Sequence, residues 1–218
     1  MPKIKVLLAE DHTIVRKGLR SLLDDEPDIE VVGEAEDGRE ALAKVEELAP
    51  DVVLMDITMP NLNGLDATRQ IKKLYPQVKV LGLTMYTNEE YILQLLQAGA
   101  SGYLVKQTAP GELVWAIQAA HRGESFLSPS ISKTIIEEYL RHNENTLQED
   151  SYDKLTMRER EILQLLAEGN SNREISEKLH ITIKTVGVHR TNLMEKLDIH
   201  NTSELVKYAL RKGIISLE

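Results

Sequence analysis

Over the first 123 residues, five short apolar runs alternate with five amphipathic stretches, and this alternation constrains the fold more than any other feature. The runs are Ile4–Ala9, Ile29–Ala35, Val52–Met55, Val78–Leu83 and Gly102–Val105. Each has four to seven residues, mostly Val, Ile and Leu, as strands buried on both faces of a parallel sheet do. Between and after them, Thr13–Leu23, Arg39–Ala49, Gly64–Tyr75, Asn88–Ala98 and Pro110–Arg122 have helical spacing. The first sets Val15, Leu19, Leu22 and Leu23 on one face, and the last opens on Pro110, whose missing N–H costs least in a first turn. Strands alternating with helices predict a doubly wound α/β domain with a five-stranded parallel sheet.

Gly123 closes the last of these helices, and Ser128-Pro129 reads as the cap and first residue of a helix to about His142. Residues 142–153, HNENTLQEDSYD, are polar and read as linker. From Leu155 onward only helical patterns remain: Thr156–Glu168, Ser171–Leu179, Ile183–Leu197 and Ser203–Lys212. Glu159 stands three residues after Thr156, a capping-box spacing. The net charge is −9, yet residues 150–218 carry 11 basic and 11 acidic side chains, so the whole excess lies in residues 1–149. An acidic chain argues against nucleic acid only if its charge is uniform, which this one's is not. With no cysteine, disulfide scaffolds, thiolate zinc sites and thiol nucleophiles are excluded. No apolar run approaches the ~20 residues of a membrane span, and the first residues show no cleavage-site pattern, so a soluble, cytoplasmic protein with no membrane partner is expected.

The chemistry-bearing residues stand at strand ends: Glu10 and Asp11 after the first run, Asp56 after the third, Thr84 after the fourth, Lys106 after the fifth. In doubly wound sheets, ligands bind outside the carboxyl ends of the strands at the switch point. A strand order 2-1-3-4-5 would gather three carboxylates, a hydroxyl and an ammonium there. Clustered carboxylates raise one another's pKa unless a cation shares the site, and a hard, oxygen-seeking Mg²⁺ suits them. A carboxylate between Mg²⁺ and Lys⁺ is a phosphoryl acceptor in waiting, forming an acyl phosphate at Asp56 that Thr84 can sense. Any one of these acids alone would read as a loop residue or cap, and His12 reads so.

Together, Ala9-Glu10-Asp11-His12, Leu54-Met55-Asp56-Ile57-Thr58-Met59-Pro60, Leu83-Thr84 and Gly102-Tyr103-Leu104-Val105-Lys106 resemble the receiver domain of two-component response regulators. The resemblance implies a flavodoxin-like fold and a sensor histidine kinase that phosphorylates Asp56. It implies Mg²⁺ bound by Glu10, Asp11, Asp56 and the backbone carbonyl of Thr58, a phosphate contact from Lys106, and Thr84 and Tyr103 as a coupled switch pair. Gln107 departs from the proline that many receivers carry there. Haloacid dehalogenase-type hydrolases need a second Asp where Thr58 stands, and the P-loop motif G-x-x-x-x-G-K-[ST] is absent. A self-phosphorylating switch is therefore expected, not a multiple-turnover enzyme.

In the C-terminal part, Ile183–Leu197 places Val186, Leu193 and Leu197 on one face, flanked by Ile183, Met194 and Arg190. Lys184, Val188 and Thr191 lie opposite, and an apolar Val188 aimed outward beside polar groups suits a thymine methyl. Lys178, Lys184, Arg190 and Lys196 against Glu195 make residues 178–196 locally basic, and Thr182 caps the helix after a short turn. Leu155-Thr156-x-Arg158-Glu159-x-Glu161-Ile162-Leu163, Asn172-x-Glu174-Ile175-Ser176 and Lys184-Thr185-Val186-x-Val188-His189-Arg190 resemble the LuxR-type helix-turn-helix domain. That resemblance implies phosphate contacts from Lys184, Thr185, His189 and Arg190, and base contacts from Val188 and Thr191. Gly187 stands where many members carry Lys. The whole is similar to the NarL/FixJ class: residues 1–123 a receiver, 124–153 a linker with one helix, 154–218 a small all-α DNA-binding domain. Such a protein would dimerise when phosphorylated and read a two-fold-related operator in double-stranded DNA. A protein-binding adaptor and a receiver-fold enzyme with an external substrate are the other readings.

Overall fold

Val- and Leu-rich runs become strands here because helices cover both of their faces. In this computed structural model, which describes residues 2–84, 89–106, 109–128, 131–132 and 151–215, the chain forms two compact units that divide between residues 145 and 146. In the first, β1 (Ile4–Ala9), β2 (Ile29–Ala35), β3 (Val52–Asp56), β4 (Lys79–Thr84), β5 (Gly102–Val105) and β6 (Phe126–Leu127) make one parallel sheet of order β2-β1-β3-β4-β5-β6. The helices are α1 (Thr13–Asp24), α2 (Gly38–Leu48), α3 (Gly64–Leu74), α4 (Glu89–Gln97) and α5 (Pro110–His121). Val6, Leu8, Leu54, Leu81 and Leu104 point into one apolar layer with Leu113 and Ile117 of α5; Leu7, Val53, Met55 and Val80 point into the other with Val45 and Ile71. This is the doubly wound, flavodoxin-like arrangement and strand order that the sequence predicts.

The sheet has six strands, however, not five. β6 follows Gly123, inside the segment read as linker, and pairs Phe126 with Gly102 and Leu127 with Tyr103. Two residues are too few for any periodicity. Phe126 is held by burial and by an edge-to-face contact with Trp115 at 5.1 Å between ring centroids. The helix expected from Ser128 to His142 has only Ser128, Ile131 and Ser132 among the described residues, and Gln107, Asn88 and most of the polar stretch 142–153 lie outside them.

The second unit contains a 3₁₀ turn (Ser151–Lys154), α6 (Met157–Ala167), α7 (Asn172–Leu179), α8 (Ile183–Leu197) and α9 (Thr202–Arg211). Thr156 and Ser171 each close a full capping box, with Glu159 and Glu174 respectively. Its core is Ile162, Leu163, Leu165, Ile175, Val186, Leu193, Leu205 and Ala209, all at or below 1% exposure. Among the described residues, no helix is long and apolar enough to cross a membrane.

Candidate functional site

Strand neighbours deliver the acidic side chains to one place. β1 and β3 pair with Ala9 opposite Met55, so Glu10 and Asp11, which continue β1, come out beside Asp56 at the end of β3. Beyond β5, the Lys106 N–H donates to the Thr84 carbonyl at 2.7 Å, carrying the ladder one residue past Val105. The Lys106 ammonium then lies 2.7 Å from Glu10 Oε2 and 2.8 Å from Asp56 Oδ2. Both carboxylates are 1% exposed, which a charge tolerates only beside a partner. α3 starts directly against this pocket: a Cβ on Gly64 would sit 1.9 Å from the Asp56 carbonyl oxygen, so glycine is required there.

Burial, and after it the charge of Glu10, pushes the Asp56 carboxyl up to about 7 against the pull of Lys106. Burial also works against the Lys106 charge, but Asp56 and Glu10 outweigh it and hold the ammonium above its ordinary value. The His12 imidazole is raised too, chiefly by Asp11, whose Oδ1 lies 2.8 Å from its Nδ1. Glu10 Oε2 and Asp56 Oδ2 share the Lys106 ammonium, and Asp11 Oδ1 is buried beside the His12 ring. Ligand atoms of Glu10, Asp11, His12 and Asp56 all lie within 4.8 Å of one another. Carboxylate oxygens with vacant lone pairs this close together fit a hard divalent cation such as Mg²⁺. Thr58, half-buried, stands two residues past Asp56 on the way to α3, and Thr84 and Tyr103 are buried on the neighbouring strands β4 and β5.

In the second unit, α7 ends at His180 in the left-handed conformation (φ 52°), where the Ile181 N–H returns to the Ser176 carbonyl. Thr182 then caps α8 by accepting from the Thr185 N–H at 3.1 Å. The chain thus turns between α7 and α8 in three residues, as a helix-turn-helix does. Val186, Leu193 and Leu197 are buried; Lys184, Val188 and Thr191 are exposed, Val188 to 53%. Residues 6–118 match the family described as the response regulator receiver domain, and residues 153–209 match bacterial regulatory proteins of the luxR family. The chain belongs to the NarL/FixJ class of response regulators.

Among similar proteins, the transcriptional regulatory protein LiaR of Bacillus subtilis is 41% identical to this response regulator over 98% of the chain and 100% of LiaR. The oxygen regulatory protein NreC of Staphylococcus haemolyticus is 40% identical over 97% of the chain and 99% of NreC. The RcsB response regulator of Salmonella typhimurium superposes with a TM-score of 0.59 at 30% identity, over 95% of this chain and 98% of that one. A solved complex of RcsB with DNA gives 0.60 at 30%, over 96% and 98%.

Within this response regulator, the DNA-facing residues expected from sequence are not equally placed. Lys184 and Val188 project from α8 into solvent. Thr185 shares its hydroxyl with Thr182 at 2.8 Å, and the Thr191 hydroxyl donates to the Gly187 carbonyl at 3.1 Å. His189 is half-buried, and Arg190 reaches Thr202 at 3.2 Å and Asn172 at 3.5 Å, bracing α9 and α7. Lys196 donates to Glu159 at 2.7 Å, so it ties α8 to α6 rather than adding to a basic face. Ile183, read beside the core face, is 52% exposed. Sequence reasoning missed Arg16. It is buried on α1 and donates to the Glu10 carbonyl at 2.6 Å, to Glu34 at 3.1 Å and to Glu36 at 2.6 Å. The clue was an arginine pair, Arg16 and Arg20, one helical turn apart and followed by the acidic pair of β2 and its end.

Proposed function

We propose that this protein is a cytoplasmic transcription factor controlled by phosphate on Asp56, with residues 1–123 as the receiver, 124–153 as the linker and 154–218 as the DNA reader. The observation that carries the reading is the Lys106 ammonium shared between the buried carboxylates of Asp56 and Glu10, at 2.8 and 2.7 Å. One Asp56 oxygen attacks the phosphorus of a phosphohistidine on a sensor kinase. The P–N bond breaks, its electron pair stays on the imidazole, and an acyl phosphate forms at Asp56. Lys106 contacts the transferred group, and its charge offsets that of the new oxygens. Glu10, Asp11, Asp56 and the Thr58 carbonyl would hold Mg²⁺, which when bound supplies charge neutralisation around the entering phosphoryl group.

Thr84 follows the new oxygens inward, and Tyr103 repacks. The chain consumes one phosphoryl group per cycle, the acyl phosphate ending by hydrolysis to the free Asp56 carboxylate and inorganic phosphate, unlike an enzyme that turns over an external substrate. Phosphorylation favours a homodimer whose α8 helices read a two-fold-related operator, Lys184, Thr185, His189 and Arg190 on phosphates and Val188 and Thr191 on bases. Incubation with a small phosphodonor and Mg²⁺ tests the first step. Wild-type chain should gain one phosphoryl mass and Asp56→Asn none; uptake by the variant would place the acceptor elsewhere.

A further inference from the structure

We propose that Arg16 is a positioning residue for phosphoryl transfer to Asp56: it holds the Glu10–Asp11 peptide and so sets the angle at which the carboxylates of Glu10 and Asp11 enter the pocket. The inference rests on the reading of Asp56 as the phosphoryl acceptor and names a residue that shapes the site from behind it. As β1 ends, the Glu10 N–H still pairs with the Ala35 carbonyl at 2.9 Å. The Glu10 carbonyl instead receives Arg16 Nη1 at 2.6 Å, from the first turn of α1. A peptide unit is planar, so fixing that carbonyl also fixes the N–H of Asp11, and with it the directions in which the two adjacent side chains leave the backbone. Glu10 then meets Lys106 at 2.7 Å, and Asp11 joins the same cluster as Asp56.

The guanidinium is itself anchored from the side of β2. Its Nε donates to Glu34 at 3.1 Å and its Nη2 to Glu36 at 2.6 Å, while Arg20 braces Glu34 at 2.8 Å. Glu34 lies near the end of β2 and Glu36 just after it, so the Glu10–Asp11 loop is tied through Arg16 to the neighbouring strand. Those two carboxylates offset the Arg16 charge, and what reaches the pocket is a direction rather than a potential. A planar fork serves a carbonyl and two carboxylates at once in fixed directions. A lysine in its place would keep the charge and lose that geometry.

Phosphorylation of the full chain by a small phosphodonor at saturating Mg²⁺, followed by intact mass against time, tests this with Arg16→Lys and Arg16→Gln. In both, the rate at saturating donor should fall about tenfold or more, while the half-saturating donor concentration changes by less than about threefold. Mg²⁺ affinity of the unphosphorylated chain, read by calorimetry, should fall with the rate. Because Arg16 acts through Asp11, adding Arg16→Gln to Asp11→Asn should slow the reaction by less than about twofold further. Glu34 and Glu36 are 30% and 67% exposed, so water can take up their charges when Arg16 is replaced. Should the Arg16 variants fail to fold, Glu36→Ala loosens the fork from its exposed end and should slow the saturating rate by about threefold. A wild-type rate in Arg16→Lys would make the contribution one of charge and overturn the proposal. So would full additivity with Asp11→Asn, a wild-type rate in Glu36→Ala, or Arg16 variants that lose only Tm. In each of those cases Asp56 stands as the acceptor; a wild-type chain that takes up no phosphoryl group overturns that reading and the proposal with it.

Discussion

Asp56 resists ionisation because its carboxyl is buried beside Glu10, and that resistance can be measured without any phosphate. Its pKa rises from 3.8 to about 7, burial first and Glu10 second. Between those values the folded chain keeps a proton that the unfolded chain gives up, so stability falls as pH rises through that window and is level above it. Asp56→Asn removes the charge. In the presence of a chelator, its Tm should exceed the wild-type Tm at pH 8 by roughly 3–8 °C, and the gap should narrow toward pH 4. A gap independent of pH would mean that the carboxyl ionises normally. Gly187 offers a second single-residue test: a Cβ there meets nothing within 4 Å. Gly187→Ala should stabilise by about 0.5–1 kcal/mol in urea unfolding, through helix propensity alone. At this scale sequence was informative where a residue follows a strand, since strand ends converge: Glu10, Asp11, Asp56 and Lys106 share one pocket. It was silent on Arg16, whose acidic partners lie 18 and 20 residues away and meet it only once β2 is docked.

Elements were legible in proportion to their length. Long amphipathic stretches and doubly buried runs announced themselves by period, and the caps at Thr156 and Thr182 marked where α6 and α8 begin. β6 was hidden because two residues carry no period and their pairing depends on β5. The basic character of α8 was overread for a related reason, since spacing alone does not reveal which lysine faces a neighbouring helix. Lys196 meets Glu159, a residue 2% exposed that also closes the α6 capping box. Burial opposes the Glu159 charge, but the bonds from Lys196 and Thr156 outweigh it and hold the carboxyl below the usual carboxylate range. Lys196→Met should therefore cost about 1–3 kcal/mol in calorimetric unfolding of the second unit at neutral pH. The deficit should shrink on acidification, because stability from a depressed carboxyl is lost as pH falls through its folded value. A deficit constant with pH would separate Lys196 from Glu159.

Across the whole molecule, the charge of −9 lies in the half that carries Asp56, and the neutral half carries α8. Attraction to DNA must then come from a few positions rather than from a general basic surface. Lys184→Ala should weaken binding to every sequence alike and flatten the dependence of log affinity on log salt by about one unit, read by titration at several salt concentrations. An unchanged slope would take Lys184 off the phosphates. β6 has a bearing at this scale as well. The Phe126 N–H donates to the Ser101 carbonyl at 3.2 Å and the Ser128 N–H to the Tyr103 carbonyl at 3.3 Å, so the peptide leaving the sheet is stitched to the strand that bears the buried tyrosine. Any shear of that strand carries residues 126–128 with it, like a towline made fast to a moving deck.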